Sequence, residues 1–162
     1  MKIVVFADSH TDVDTMRIVI KSEQPDMVIH LGDHVKDGAE LQELFKDLPM
    51  VFVKGNTDRT DEYPTENLIK IEDAAIFISH GDLYGVEEGL NDIIHKGISC
   101  KADIILFGHT HKSYLQNQDG IWIMNPGRIG RKSSRRIDAT FGVVFLDKGA
   151  IRCNIIEFDA CS

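Results

Sequence analysis

Four histidines, two aspartates and one asparagine stand just after short apolar runs, each beside a turn: Asp8-Ser9-His10, Gly32-Asp33, Gly55-Asn56, His80-Gly81 and Gly108-His109-Thr110-His111. Carboxylate oxygen together with neutral imidazole suits Mn²⁺, Fe²⁺ or Zn²⁺, whereas an all-oxygen set would favour Mg²⁺ or Ca²⁺. Seven such groups exceed the needs of one ion and match those of two. Two neighbouring cations need a shared anion, and Asp33, alone after its glycine, is the expected bridge. Metals about 3.5 to 4 Å apart share a water, lower its pKa and clamp the attacking and departing oxygens of an in-line displacement at phosphorus. The expected reaction is hydrolysis of a phosphate ester. Mn²⁺ leads among the metals, with Fe²⁺, Zn²⁺ and Ni²⁺ as alternatives.

The elements that must carry these groups are legible as runs. Ile3 to Phe6, Met27 to Leu31, Met50 to Val53, Ala75 to Ile78 and Ile104 to Phe107 read as strands, so each polar group arrives where a strand stops. Between them, apolar residues recur at helical spacing: Val13, Met16 and Ile20; Leu41, Leu44, Phe45 and Leu48; Val86, Leu90, Ile93 and Ile94. This βαβ alternation predicts a parallel sheet covered by helices, whose ligands bind at the carboxyl ends of the strands. Beyond His111 the pattern changes. Asp119-Gly120 and Asp147-Lys148-Gly149 separate short strand runs, which predicts an antiparallel C-terminal third, and Glu72-Asp73 turns an earlier hairpin that delivers His80. Two sheets face to face, each covered by helices, accommodate both halves in one α/β domain.

Bulk properties narrow the function. The chain has 162 residues, enough for one well-buried core and short for two. Its 43% hydrophobic and 27% charged content fits an ordinary globular protein, with no run long enough to span a membrane. The N-terminus reaches Asp8 too soon for a signal-peptide core, so a cytoplasmic location is expected. Cys100, Cys153 and Cys161 form no CxxC pair and read as reduced structural thiols. A net charge of −8 argues against an extended nucleic-acid surface but is compatible with a small phosphorylated substrate.

In order and spacing, the five blocks Asp8-Ser9-His10, Gly32-Asp33, Gly55-Asn56-Thr57-Asp58, Ser79-His80-Gly81 and Gly108-His109-Thr110-His111 resemble the signature of the calcineurin-like metallophosphoesterases. Asn125-Pro126-Gly127 looks like the block that follows them in the small, cap-less bacterial and archaeal phosphodiesterase branch. The resemblance implies a four-layer αββα sandwich of two mixed sheets, a single domain over residues 1–162. It implies that Asp8, His10 and His111 ligate one metal and Asn56, His80 and His109 the other, with Asp33 between them holding the bridging hydroxide that attacks phosphorus. Asn56 would also meet the substrate. Small members of the family are often oligomeric, so a homo-oligomer is compatible.

Two departures bear on mechanism. Relatives that cleave phosphomonoesters of proteins, and many cyclic-nucleotide hydrolases, carry His directly after the metal-binding Asn, where this chain has Thr57. Thr has no useful acidity near neutrality, so the leaving group must take its proton from His10, from water or from Asp58. A diester is therefore the expected substrate, with a small monoester as the alternative. The second departure is Arg128, where the branch usually has Ser. It opens the basic segment Arg128, Arg131, Lys132, Arg135 and Arg136, and reads as a substrate-phosphate contact or as a solvated loop. A protein-binding scaffold, as in the retromer subunit of this fold, is the reading from a different class. It predicts lost ligands, and none of the seven is lost. His30 and His95 read as structural, His34 as a solvated helix start, and Trp122 as a core aromatic.

Overall fold

β1 (Lys2–Phe6) is apolar at every position after Lys2 because both of its faces are covered. Ile3 and Val5 enter a cluster with Ile29, Ile76, Ile104 and Leu106, while Val4 and Phe6 enter another with Met16, Val19 and Leu41. The period-two alternation of one strand thus defines two layers of core. The structure, a computed structural model, describes residues 1–130 and 139–158.

Five strands, β1, β2 (Met27–His30), β3 (Met50–Phe52), β9 (Thr140–Asp147) and β10 (Ala150–Glu157), form one sheet in the order β10-β9-β1-β2-β3. The other sheet runs β4-β5-β6-β8-β7, from β4 (Glu66–Ile71), β5 (Ala74–Ser79), β6 (Ile104–Leu106), β7 (Tyr114–Gln118) and β8 (Ile121–Asn125). The first cluster fills the space between the sheets. Helices α1 (Val13–Glu23) and α2 (Val35–Leu44) supply Met16, Val19 and Leu41 to the outer face of the first sheet. Helix α3 (Asn91–Ser99) supplies Ile93 to the outer face of the second, against Phe77 and Ile105. Two mixed sheets flanked by a few helices make one domain, as expected.

Three expectations are corrected. The helical spacing from Val86 to Ile94 is not one helix: a 3-10 turn at Asp82–Tyr84 ends on Gly85 in the left-handed region, and α3 starts at Asn91. Val86 still packs beside Ile93, so the spacing reported a shared cluster rather than continuous helix. Phe45 and Leu48 lie beyond α2 and pack beneath it. The C-terminal third is antiparallel only within its hairpins and against β1; β8 joins β6 in parallel. Among the described residues no helix is long and apolar enough to cross a membrane.

Candidate metal centre

The parallel strands β1, β2, β3, β5 and β6 release their chains at one end of the sandwich, and the loops there are tied by main-chain bonds. Asp8 N–H donates to Gly32 C=O at 3.1 Å and Gly108 N–H to His80 C=O at 2.9 Å. Gly32, at φ +94°, lies so close to the next loop that a Cβ there would meet Gly55 N at 2.5 Å. A Cβ on Gly55 would in turn stand 2.3 Å from Asp33 Oδ1. These two glycines are therefore required by contact between loops, which is the physical content of the Gly-Asp and Gly-Asn pairs in the sequence.

Asp8, His10, Asp33 and His111 each offer a ligand atom, and the four atoms lie within 4.8 Å of one another. His10 Nε2 faces His111 Nε2 at 3.3 Å, and His111 Nε2 is 3.4 Å from Asp8 Oδ1. On the other side of Asp33, His80 Nε2 is 3.3 Å from Asp33 Oδ1 and also 3.3 Å from His109 Nδ1. Two atoms held roughly 2.1 Å from a common ion at tetrahedral or octahedral angles lie about 3.0 to 3.4 Å apart, so these contacts have ligand-to-ligand spacing. Asp8 gives a second sign of fit. Its carboxylate is fully buried, and neither oxygen has a hydrogen-bond partner. A buried anion without donors is costly unless a cation completes it.

Outer contacts orient these rings. His80 Nδ1 meets Leu31 C=O at 2.8 Å, so Nδ1 carries a proton and Nε2 is the atom turned toward Asp33 and His109. On the far side of His109, Nε2 is 3.5 Å from the Glu87 carboxylate. For His80, burial acts to lower the pKa, but the hydrogen bond and charge of Asp33 and the charge of Asp8 more than offset it, and the ring is raised. Burial acts to raise Asp33, yet His80 and the Thr57 donors hold its carboxyl well below the usual carboxylate range. His10 is lowered, by burial first and by His111 next.

The backbone adds a signal that residue types could not carry. Five of the seven candidate ligands have left-handed φ: Asp8 at 55°, His10 at 45°, Asp33 at 55°, His109 at 69° and His111 at 59°. Such conformations cost of order 1 to 3 kcal/mol each in non-glycine residues and concentrate at functional sites.

Several supporting residues were not legible as such. Thr57 donates both its N–H, at 3.2 Å, and its hydroxyl, at 2.8 Å, to Asp33 Oδ1, so it steadies that carboxylate. His30 is a buried core histidine, as expected, but it also anchors the first loop. Gly32 N–H donates to its Nδ1, which leaves its Nε2–H for Ser9 Oγ at 3.1 Å. Ser9 donates onward to Asp37 at 2.6 Å, and Thr11 N–H donates to the same oxygen. Asn125 is fully buried and staples the His109 loop: its amide donates to Gly108 C=O and Thr110 Oγ1 and accepts Gly127 N–H. Asp58 closes the turn at Gly55 and accepts the first N–H of α2 from Val35, engaging both oxygens. His34 begins α2 as expected, with its ring against that of His10.

The remaining expected residues fall as follows. Asn56 is exposed, next to the Gly55 contact with Asp33, and its side chain makes no hydrogen bond to another described residue. Arg128 is buried, and its Nη2 has no hydrogen-bond partner among the described residues. Its neighbours Ile129 and Gly130 donate main-chain bonds to Ala7 and Asp8, beside the cluster. Arg131, Lys132, Arg135, Arg136 and Cys161 lie outside the described residues. Cys100 and Cys153 are free thiols, Cys153 pushed up to about 12 by burial. His95 is exposed on α3, and Trp122 packs against the inter-sheet cluster.

A sandwich of two mixed sheets with imidazoles and carboxylates gathered at the strand ends defines a class, and comparison with known proteins agrees. Residues 1–149 match the family model of the calcineurin-like phosphoesterase superfamily domain, and the chain belongs to that superfamily. It is 28% identical to the probable metallophosphoesterase YsnB of Bacillus subtilis, over 93% of this chain and 87% of that protein. It is 27% identical to a phosphodiesterase of Methanocaldococcus jannaschii, over 78% of this chain and 83% of that one. Among solved structures, a conserved Streptococcus pneumoniae protein, a predicted phosphoesterase, superposes with a TM-score of 0.80 at 24% identity, covering 96% of this chain and 88% of the other. A Vps29 variant from Entamoeba histolytica shares the fold at a TM-score of 0.74 and 20% identity, covering 98% and 100%.

Proposed function

We propose that this protein is a cytoplasmic phosphodiesterase that works with two divalent transition metals, Mn²⁺ foremost. The observation that carries the reading is the pair of ligand groups meeting at Asp33. Asp8, His10, Asp33 and His111 have their ligand atoms within 4.8 Å, His80 approaches Asp33 at ligand spacing, and His109 stands at the same spacing from His80. Asp8, His10 and His111 would hold one ion and His80, His109 and Asn56 the other, with Asp33 shared. Such a pair of ions supplies an activated water and neutralises charge on the phosphoryl oxygens.

The chain's own residues do the rest. His80 keeps Nε2 toward the site because Leu31 C=O fixes a proton on Nδ1. Thr57 directs both donors at Asp33 and so has a partner other than the leaving group. We assign His10 to the ligand set on its spacing to His111, and both Asp58 oxygens are engaged by backbone donors. Solvent then protonates the leaving group, which is adequate for diesters with acidic alcohols. Arg128, buried with an unpaired donor beside the Asp8 loop, is the proposed phosphate contact. The relative named a phosphodiesterase supports the substrate class. Vps29 supports a second, protein-binding reading at the level of fold alone, and the retained ligand set favours the enzyme.

The test joins metal analysis to a matched substrate pair. Protein purified with Mn²⁺ should carry two metals per chain and lose both in Asp33→Ala, while one tight metal at most would refute the shared site. Bis-p-nitrophenyl phosphate should turn over faster than p-nitrophenyl phosphate. Equal rates or a monoester preference would remove the diester assignment.

A further inference from the structure

A cavity of about 450 Å³ opens directly beside the metal centre. Thr110, which lines it, stands between the candidate ligands His109 and His111, and Glu87, also in its wall, is 3.5 Å from His109 Nε2. Away from Thr110 and the rim the lining is mostly apolar. Val86, Leu90, Phe107 and Tyr114 form the apolar part, with Phe107 almost fully buried and its ring 6.4 Å from that of Tyr114. Lys112 and Ser113 are exposed at the rim. The wall is braced from behind, where Tyr84, just before Val86, donates to Glu66, which also accepts from Lys96 at 2.7 Å.

The cavity wall adjoins two candidate ligands through Thr110 and Glu87, so a phosphate held there would have the opening beside it, and a diester carries two organic arms. An apolar slot faced by two aromatic rings favours a flat, weakly hydrated group over a sugar or polyol. We propose that the cavity is a subsite for an aryl or heteroaromatic ester arm, which makes an aromatic phosphodiester the preferred substrate class. The proposal deepens the diesterase reading and rests on it for the reaction, but the subsite can be tested by binding alone.

The binding arm is an amide NMR titration of the metal-free protein with diphenyl phosphate and with dimethyl phosphate, at millimolar ligand. Diphenyl phosphate should shift the Leu90, Lys112 and Ser113 amides and dimethyl phosphate should not, and Ser113→Trp, which fills the mouth from an exposed position, should abolish the shifts. The kinetic arm is the KM for bis-p-nitrophenyl phosphate. It should rise roughly 10-fold in Ser113→Trp with two metals still bound, the factor expected when about 60 Å² of apolar ring surface can no longer leave water. Equal shifts with both ligands, no shift at these amides, or an unchanged KM would overturn the subsite. If the wild type hydrolyses no diester while the diphenyl phosphate shifts appear, the diesterase reading fails and the subsite stands.

Discussion

Replacing Asp8 by Asn should make the metal-free protein more stable and at the same time remove its response to metal. The Asp8 carboxylate is fully buried, neither oxygen accepts a hydrogen bond, and the nearest cationic candidate is His111 Nε2 at 3.4 Å. Without a donor on either oxygen, the charge lacks the hydrogen bonds that would offset its burial. Burying an uncompensated carboxylate costs several kcal/mol after relaxation, whereas an unpaired buried amide costs about 1 to 3 kcal/mol. The isosteric change to Asn should therefore gain about 1 to 3 kcal/mol, which for a chain of this size is roughly 2 to 12 °C in Tm. The assay is scanning calorimetry at pH 8 on chelator-dialysed protein, repeated with saturating Mn²⁺. The wild type should gain about 2.7 kcal/mol when Mn²⁺ reaches a hundredfold excess over its Kd, and the variant should gain far less, so the two stabilities cross. A variant less stable than the wild type without metal, or one with an equal Mn²⁺ gain, would refute the reasoning.

Two further outcomes follow from the supporting residues. Asn125→Ala removes three hydrogen bonds and leaves Gly127 N–H without its partner, while Gly108 C=O keeps only the Thr110 N–H, so it should cost about 2 to 4 kcal/mol and weaken metal binding; a loss under about 1 kcal/mol by denaturant titration would mean that it does not hold the His109 loop. Burial holds His30 near a pKa of about 4 in the native state, against 6.5 when unfolded, so the unfolded chain binds more protons between these values. Stability should fall as pH is lowered through that window, by about 3 kcal/mol from this group, and level off below it. His30→Gln should remove that share of the slope, and an unchanged pH profile would refute the assignment.

What the sequence revealed and what it concealed divide along physical lines. Short apolar runs and turn residues located the described strands, because a strand covered on both faces is apolar at successive positions: Ile3 and Val5 went to one core layer, Val4 and Phe6 to the other. The candidate ligand positions stood out because each follows such a run. Helix limits near Val86 and Leu48 were not, since apolar spacing reports a common cluster and says nothing of the backbone between, where Gly85 turns left-handed. Contacts between distant loops were hidden altogether. Nothing local in Thr57 announces a bond to Asp33, 24 positions away, nor in Asn125 a bond to Gly108. The run of left-handed φ was equally hidden, because Asp, His and Thr are not residues that demand it.

That run of strained backbone bears on the choice between enzyme and scaffold. Five candidate ligands with φ between 45° and 69° together cost of order 5 kcal/mol or more, a large share of what stabilises a domain of this size. Glycine at any of these positions would relieve strain, and an apolar or amide side chain at position 8 would remove a buried charge. A surface used only to bind another protein gains nothing from either cost, since neither the buried Asp8 carboxylate nor the inward-facing Nε2 of His80 can reach a partner chain. An ion can reach both. Metal-binding energy can exceed the strain and the charge burial together, and the strain then has a role: it holds the candidate ligands at 3.3 to 3.4 Å before metal arrives. On this argument the metal-free fold is the less stable state, and the metal-filled one is the state for which the loops are shaped.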